Sequence, residues 1–486
     1  MRRRLRFLLG HAPRELDEVE PTLTVLEYLR RTERRCGTKE GCAEGDCGAC
    51  TVVLGRPEGG RMAYRAVDAC ILLLPMLDGC QLLTVEDLRA PDGSLHPVQR
   101  AMVEAHASQC GFCTPGFVMA LYARLRTPAG ERPPLTDGLA GNLCRCTGYG
   151  PILAAGRRLE ETPGGDHLEA REAETVALLE RWRDGETLAV GRGGRMFYAP
   201  ATAEALARLL LEHPGATLLG GATDVGLWIT KQHRRPSPIV WTGRVRDLAR
   251  VEETEEGLRI GAAATYREVI GPLASLYPDA DAVLRRVGSV QIRNLGTVGG
   301  NIANGSPIGD SPPLLIAAGA ELLLRRGEAR RRMPLEDFFL AYGRQDRRPG
   351  EFVEAVVVPK PAPGTLFRAY KVSKRFDQDI SSVCAAFRID LEDGRVAAAR
   401  LAYGGMAPVP KRATRAERAL AGRPWSRATV EAAMAAMERD FSPIDDWRAS
   451  AGYRMTVARN LLLRCWLEST GEIDRRLDRA PEMANA

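Results

Sequence analysis

Apolar residues alternate with polar ones at Leu5, Phe7 and Leu9, which is the period of a short strand. Helical spacing follows, with Thr22 or Thr24 as the cap and Leu26 and Leu29 on one face. A loop rich in glycine and cysteine, Gly41 to Cys50, then leads into a second strand at Thr51–Leu54. This strand–helix–loop–strand order predicts a small first domain over residues 1–88. From Pro97 the pattern turns helical, with Val98, Met102 and Ala105 on one face. Thr114 is the expected cap of a helix with Pro115 at its first position, and a further helix is expected from Pro151 to Leu159. Residues 89–162 therefore predict a small helical bundle. The stretch 163–190 is rich in Glu, Arg and Gly and predicts a linker with a charged helix inside it. Over 191–364 short strands (Thr217–Leu219, Ile239–Trp241, Leu258–Ile260) alternate with helical patterns. A last segment, 365–476, opens with strands and closes with helices at Arg427–Glu438 and Ala451–Leu467.

Length agrees with this division, since 486 residues suit about three or four domains. The net charge is small, 68 − 62 = +6, and no basic block marks a nucleic-acid arm. The arginine-rich opening is followed by an apolar stretch, Phe7 to Gly10, that His11 breaks at once, unlike a signal peptide. No run approaches the roughly eighteen apolar residues of a membrane span. The chain is also too long and too sparse in cysteine for a secreted disulfide scaffold, so a cytoplasmic protein is expected.

Eight of the twelve cysteines fall into two tetrads. Cys42, Cys47 and Cys50, completed by Cys70, have the C-x4-C-x2-C spacing and distant fourth cysteine of a plant-type 2Fe–2S ferredoxin. Four soft, anionic thiolates offset the charge of ferric iron, and Gly41, Gly45 and Gly48 let the backbone wrap closely around a cluster. Zinc also accepts four cysteines, but its knuckles usually pair C-x2-C motifs. The second set, Cys110 and Cys113 with Cys144 and Cys146, is less specific: a cluster, zinc or a dithiol at CGFC all remain open. The ferredoxin-like loop beside it favours a second cluster. Cys384 and Cys465 lie in apolar patterns and read as core thiols, Cys80 has no distinct chemistry, and Cys36 is close enough to the first set for a ligand swap.

Two loops, Leu218–Gly226 and Gly296–Ser311, place glycine beside small polar residues and carry neither Lys nor Arg. Such loops can aim backbone N–H groups at a diphosphate, each charge-assisted bond being worth roughly 1.5–3 kcal/mol. Glycine as a mere marker of turns is the plainer reading of either loop alone. No G-x-G-x-x-G after a strand and no Walker A sequence is present, so a dinucleotide held by separated glycine loops is expected.

Taken together, GCAEGDCGAC, QCGFCTPG, GNLCRCTGYGPI, LLGGATDVG and GGNIANGSPIGD resemble the molybdenum hydroxylase family, in the same order and over nearly the whole chain. The resemblance implies a multidomain α+β fold. Its parts would be a β-grasp 2Fe–2S ferredoxin domain, a helical 2Fe–2S-binding bundle, an FAD domain of the vanillyl-alcohol-oxidase type and a C-terminal α/β domain of the flavoprotein CO-dehydrogenase type. It implies FAD contacts at Leu218, Leu219, Gly220, Gly221, Ala222, Thr223, Asp224 and Val225, at Thr297, Val298, Gly299, Gly300 and Asn301, and at Asp310. Val287, Val353 and Lys371 match less distinctive positions, and a surface lysine is the plain alternative for Lys371. Ala222 departs from the asparagine that the family often has there. The following loop, Lys374 to Asp379, would lie over the flavin and bear on the choice between NAD and oxygen.

The chain has no room for the molybdopterin-binding part of such enzymes. A separate large subunit is therefore expected, in an assembly of two copies of each. Xanthine or hypoxanthine would be hydroxylated in that partner, with electrons leaving through the second tetrad, then the first, then FAD, and on to NAD. An aldehyde or N-heterocycle substrate would use the same chain, whereas a zinc-stabilised redox sensor would be colourless and lack flavin.

Overall fold

The computed structural model describes residues 1–160 and 165–473, so the expected domain ends at 162 and 476 lie outside the described residues. Two compact units make up the chain: Met1–Ala249 with Thr265–Arg267 and Gly288–Thr297, and a second of Arg250–Ala264, Glu268–Val287 and Val298 onward.

In the first unit, the alternating start of the chain forms β1 (Leu5–Leu9), paired antiparallel to β2 (Ala12–Leu16). With β3 (Thr51–Glu58), β4 (Arg61–Asp68) and β5 (Gln81–Leu83) they make a sheet ordered β2-β1-β5-β3-β4, in which β1 and β5 run parallel. Thr24 caps the helical turn at Val25–Glu27, its hydroxyl accepting the Glu27 N–H at 3.1 Å. Because side chains alternate along a strand, the sheet serves two cores. Leu5, Phe7, Leu9, Val52 and Leu54 enter one, and Leu8, Val53 and Leu83 enter the other.

The second of these cores belongs to a helical bundle of α1 (Pro97–Glu104), α2 (Thr114–Leu125), α3 (Leu135–Leu139) and α4 (Gly150–Glu160). Thr114 is the first residue of α2 and not its cap; Cys113 holds that place, and the Thr114 hydroxyl pairs instead with Ser108 at 2.8 Å. Across 165–190, the expected charged helix is α5 (Glu172–Arg181), and its Leu179 is buried with the bundle core. Asp166 meets His96 Nε2 at 2.9 Å, while His96 Nδ1 accepts the Val98 N–H and caps α1.

The first core is completed by a sheet of β6 (Leu188–Arg192), β7 (Arg195–Ala199), β8 (Thr217–Leu219) and β9 (Ile239–Trp241), ordered β6-β7-β9-β8. Helix α6 (Ala203–Glu212) lies before β8, α7 (Val225–Thr230) before β9, and the short α8 (Val290–Arg293) precedes the second glycine loop.

The second unit holds a sheet ordered β10-β11-β14-β12-β13, from β10 (Val251–Glu253), β11 (Gly257–Gly261), β12 (Glu321–Arg326), β13 (Ala329–Pro334) and β14 (Phe352–Pro359). Helix α9 is Val298–Asn304, and α10 (Ser311–Ala318) is buried on every side, as its uninterrupted apolar sequence requires. An antiparallel sheet follows, from β15 (Leu366–Val372) through β16 (Val383–Glu392) and β17 (Arg395–Gly404) to β18 (Lys411–Arg412). Helices α11 (Thr414–Leu420), α12 (Arg427–Ala436) and α13 (Ala451–Ser469) supply the rest of its core. Cys384 and Cys465 are both fully buried, as their apolar settings predict. Phe387 sits at the middle of that core, its ring 5.9 Å from Tyr370 and 5.3 Å from Tyr403. Phe387→Ala is expected to cost about 3–5 kcal/mol, read as a lowered denaturation midpoint of the second unit.

Candidate functional site

Folding of the Gly41–Cys50 loop gathers the first tetrad. Cys42 shares side-chain hydrogen bonds with Cys47 and Cys70, and Cys70 shares one with Cys50. The backbone N–H groups of Glu44, Asp46 and Cys47 each point to Cys42 Sγ at 3.4 Å. Gly41 is needed for room, because a Cβ there would stand 2.7 Å from Cys47 Sγ. The second tetrad forms at the start of α2 and in the turn before α4, where Cys110 pairs with Cys146 and Cys113 with Cys144. Thr147 Oγ1 lies 3.2 Å from Cys144 Sγ, and the Tyr149 hydroxyl accepts the Cys144 N–H at 3.0 Å. In the second tetrad the thiols meet as two pairs, and in the first as one run of contacts, Cys47–Cys42–Cys70–Cys50. Among the described residues no three His, Cys, Asp or Glu side chains close on a single ion. Four thiolates gathered at one place suit two irons, each taking two of them.

Crowding these thiols sets them against one another. Hydrogen bonds from Cys47 and then Cys70 drive Cys42 far down, and Cys42 in return drives Cys47 and Cys70 far up. The Cys70 hydrogen bond favours ionisation of Cys50, but burial and neighbouring Asp68 outweigh it and the thiol moves up. In the second set, burial lifts Cys113 to about 12. Burial also opposes ionisation of Cys144, yet hydrogen bonds from Thr147 and Cys146 bring it down to about 7. Four thiolates become favourable together only when a cation joins them, so the donor set and the cradle around it fit an iron–sulfur cluster at each tetrad.

Asp68 carries no signal in the sequence pattern. Fully buried, it accepts the Cys50 thiol at 3.6 Å with Oδ1, while Oδ2 has no partner. Burial first, then the Cys42 charge, raises its carboxyl to about 7. Cys36 is exposed and outside the chain of thiol contacts that runs Cys47–Cys42–Cys70–Cys50.

The first glycine loop lies against the first tetrad. A Cβ on Gly226 would come within 2.8 Å of Ile71, next to Cys70, and Lys231 at the end of α7 donates to the Cys42 carbonyl. Leu219, Ala222 and Leu295 share one core with Cys50 and Cys70. Among the described residues, no protein acceptor takes the N–H groups from Gly220 to Asp224. Gly221 packs so closely on the Leu295 carbonyl that a Cβ would lie 1.8 Å from it. A run of amides without protein acceptors, on a backbone packed too tightly at Gly221 for a side chain, fits a diphosphate. Ala222 is at φ +63°, a left-handed conformation that asparagine tolerates far better than alanine.

The second loop differs from the expectation of a second amide cradle. In the second unit, the N–H groups of Val298 and Gly299 already bond to the Ala264 and Ala262 carbonyls at 3.0 Å. Asn301 Oδ1 accepts from Ser311 at 2.8 Å. Thr297 belongs to the first unit, paired with Thr265. Lys371 is not a surface lysine: its Nζ is buried, 2.6 Å from Asp310 and 2.9 Å from the Arg286 carbonyl. Ser381 donates to the other oxygen of Asp310 at 2.5 Å. Arg286 also donates to the Phe376 and Lys371 carbonyls and stacks 4.4 Å from the Phe376 ring. Val353 is buried on β14, and the Val287 N–H bonds to the Leu284 carbonyl at 3.1 Å.

Comparison with known proteins reads the same order. The chain matches the 2Fe-2S iron-sulfur cluster binding domain over residues 9–72 and the [2Fe-2S] binding domain over 84–157. It then matches the FAD binding domain in molybdopterin dehydrogenase over 191–361 and the CO dehydrogenase flavoprotein C-terminal domain over 368–469. The chain belongs to the molybdenum hydroxylase family. It is 34% identical over 472 residues to xanthine dehydrogenase of Drosophila pseudoobscura pseudoobscura, aligning 85% of this chain with 35% of that protein. Xanthine dehydrogenase of Emericella nidulans is 32% identical over 540 residues, 97% of this chain and 39% of that one. The chain therefore spans well under half the length of these curated relatives. A solved chain of carbon monoxide dehydrogenase from Hydrogenophaga pseudoflava superposes with a TM-score of 0.53 at 28% identity, covering 55% of this chain and 94% of that one. Within the family, two domains of 2Fe–2S type and an FAD-binding domain make this a redox chain.

Cys47→Ser is expected to abolish the paramagnetic signal of the first tetrad and spare the second, and Cys113→Ser the reverse, each with half the iron lost. Ala222→Gly removes a left-handed penalty of about 1–2 kcal/mol at some cost in chain entropy. A rise in the unfolding midpoint of the FAD-loaded protein is the expected result.

Proposed function

We propose that this chain is the iron–sulfur/FAD electron-transfer subunit of a xanthine dehydrogenase, working with a molybdopterin-binding large subunit in an assembly of two copies of each. The observation that carries this reading is the run of sites through the first unit. The second tetrad is joined to the bundle core, the first tetrad stands beside it, and the first glycine loop shares a core with that tetrad. Xanthine or hypoxanthine is oxidised to urate in the partner. Bound 2Fe–2S clusters carry electrons singly, and FAD gathers them in pairs for NAD.

The chain's own residues do the holding and screening. Cys42, Cys47, Cys50 and Cys70 bind the cluster nearer the flavin loop; Cys110, Cys113, Cys144 and Cys146 bind the other. Cys110 and Cys146 are exposed, with Phe112 and Tyr149 exposed beside them. An exposed apolar rim around an otherwise solvated redox site is the kind of surface a subunit covers, and this supports the large subunit as the electron source there. Gly220 to Asp224 take the FAD diphosphate. Asp310 and Lys371, held by Ser381 and Arg286, are further FAD contacts in this reading. Leu218, Leu219, Val225, Val287, Thr297–Asn301 and Val353 complete the FAD contacts in this reading.

Anaerobic electron paramagnetic resonance tests the proposal, with the protein reduced once by NADH and once by dithionite. Two distinct 2Fe–2S signals are expected under both reductants. Signals with dithionite alone would remove NAD from the reading, and a colourless, zinc-containing protein would overturn it. Assembled with the large subunit, xanthine should elicit the same two signals; signals from an aldehyde or a quinoline-type heterocycle instead would reassign the substrate.

A further inference from the structure

A buried polar network, separate from the thiol contacts, ties the two cysteine loops to each other and to the segment leading into the second glycine loop. Gln291, on α8, is 0% exposed, and Asn142 and Thr51 are each 2% exposed. Gln291 Nε2 donates to Asn142 Oδ1 at 2.9 Å and to Thr51 Oγ1 at 3.2 Å. Asn142 Nδ2 donates to the Gly48 carbonyl at 3.0 Å and to Thr51 Oγ1 at 3.2 Å. The Thr51 hydroxyl gives its own proton to the Gly48 carbonyl at 2.7 Å, so its oxygen is left to accept both amides. Thr51 follows Cys50, Gly48 follows Cys47, and Asn142 stands two residues before Cys144. One carboxamide therefore touches both cysteine loops at once.

Backbones meet here with no space for side chains. A Cβ on Gly116 would come within 2.2 Å of the Gly48 carbonyl, and one on Gly48 within 2.2 Å of the Gly141 carbonyl. At this crossing the Leu143 N–H donates to the Cys47 carbonyl at 3.0 Å. That bond links a cysteine of the first tetrad to the residue adjoining Cys144 of the second. Gln291 Oε1, meanwhile, has no hydrogen-bond partner. A buried acceptor left unpaired is a poor stabiliser, and an apolar side chain of the same shape would avoid its cost. Geometry, more than stability, is what this amide contributes.

We infer that Gln291 and Asn142 are positioning residues for electron passage between the tetrads, holding the Leu143–Cys47 hydrogen bond closed. The inference rests on the reading of both tetrads as 2Fe–2S sites. Tunnelling falls steeply with separation and runs better along bonds than across a gap. One electron leaves the second site and one arrives at the first, with no proton or leaving group involved. Gln291 adds a second effect: the segment that runs on to Thr297 cannot shift without pulling on both loops.

The test uses the full, cofactor-loaded chain and compares it with Gln291→Met, which keeps the length of the side chain and removes both donors. In the dithionite-reduced wild type, magnetic coupling between neighbouring reduced sites should split the two paramagnetic signals. In the variant the splitting should change while the g-values, iron and flavin stay the same. Electron equilibration between the sites after rapid mixing with NADH should slow by about tenfold or more, the scale of loss that small misplacements of reacting groups produce. Asn294→Ala removes another bond from the same segment, Asn294 Nδ2 to the Ala66 carbonyl at 2.8 Å, and should move neither readout. Gln291→Asn, with the amide drawn back by one methylene, should shift both in the direction of Gln291→Met. Unchanged splitting and rate in Gln291→Met overturns the inference. So does loss of iron with flavin retained, which would make the network a folding element of the loops. A wild type without two signals would instead sink the reading of the tetrads, and this inference with it.

Discussion

Electrostatic repulsion between thiolates is the constraint that the cysteine loops are built around. Sulfurs brought within hydrogen-bonding distance of one another do not all ionise readily without a cation between them, and the opposed shifts of Cys42 and Cys47 follow from that conflict. The loops that create it are held by backbone N–H groups on Cys42 Sγ and by glycines where two strands of backbone cross. Such an arrangement makes sense when a multiply charged centre occupies it, because metal binding then becomes part of the folding free energy. Asp68 adds a buried carboxyl to a place already crowded with negative charge, and it tolerates that place by staying protonated toward neutrality.

Much of this was legible in the residues. The period-2 and helical patterns located β1, β8, β9, α4 and α13 to within a residue or two, because each buries a face whose spacing is written in its apolar positions. The cysteine spacings located both tetrads, since ligand geometry leaves few ways to place four sulfurs. Three features were not legible. Asp68, Asn142 and Gln291 owe their roles to residues far away in sequence, and an isolated polar residue carries no period. Lys371 could not be distinguished from a surface lysine because its partner, Asp310, lies on a different element. The second glycine loop has the composition of an amide cradle, but pairing with Ala262 and Ala264 spends two of its N–H groups, those of Gly299 and Val298, on the fold.

The two glycine loops therefore answer to different physics despite similar composition. In the first, Gly221 packs closely on Leu295 and the neighbouring amides have no protein acceptor. In the second, glycine permits tight contact with Ala262, where a Cβ on Gly299 would lie 2.4 Å from the Ala262 Cβ. The first loop leaves the N–H groups from Gly220 to Asp224 without a protein acceptor, whereas the second gives those of Val298 and Gly299 to neighbouring carbonyls. Composition alone does not separate the cases; the neighbour each glycine packs against does.

The alternation of β1 has a consequence for how such chains can be divided. Leu5, Phe7 and Leu9 face a core shared with Phe197, Leu219 and Trp241, while Leu8 between them faces the core of the helical bundle. The first strand of the chain is thus an inner wall of two neighbouring bodies and belongs wholly to neither. Sequence families mark a boundary after residue 72 and another before 191, yet no cut at either place would leave both faces of that strand covered. Units that are separable as stretches of sequence are here inseparable as cores. A relative that carries these pieces on different polypeptides would have to rebuild both surfaces as subunit interfaces.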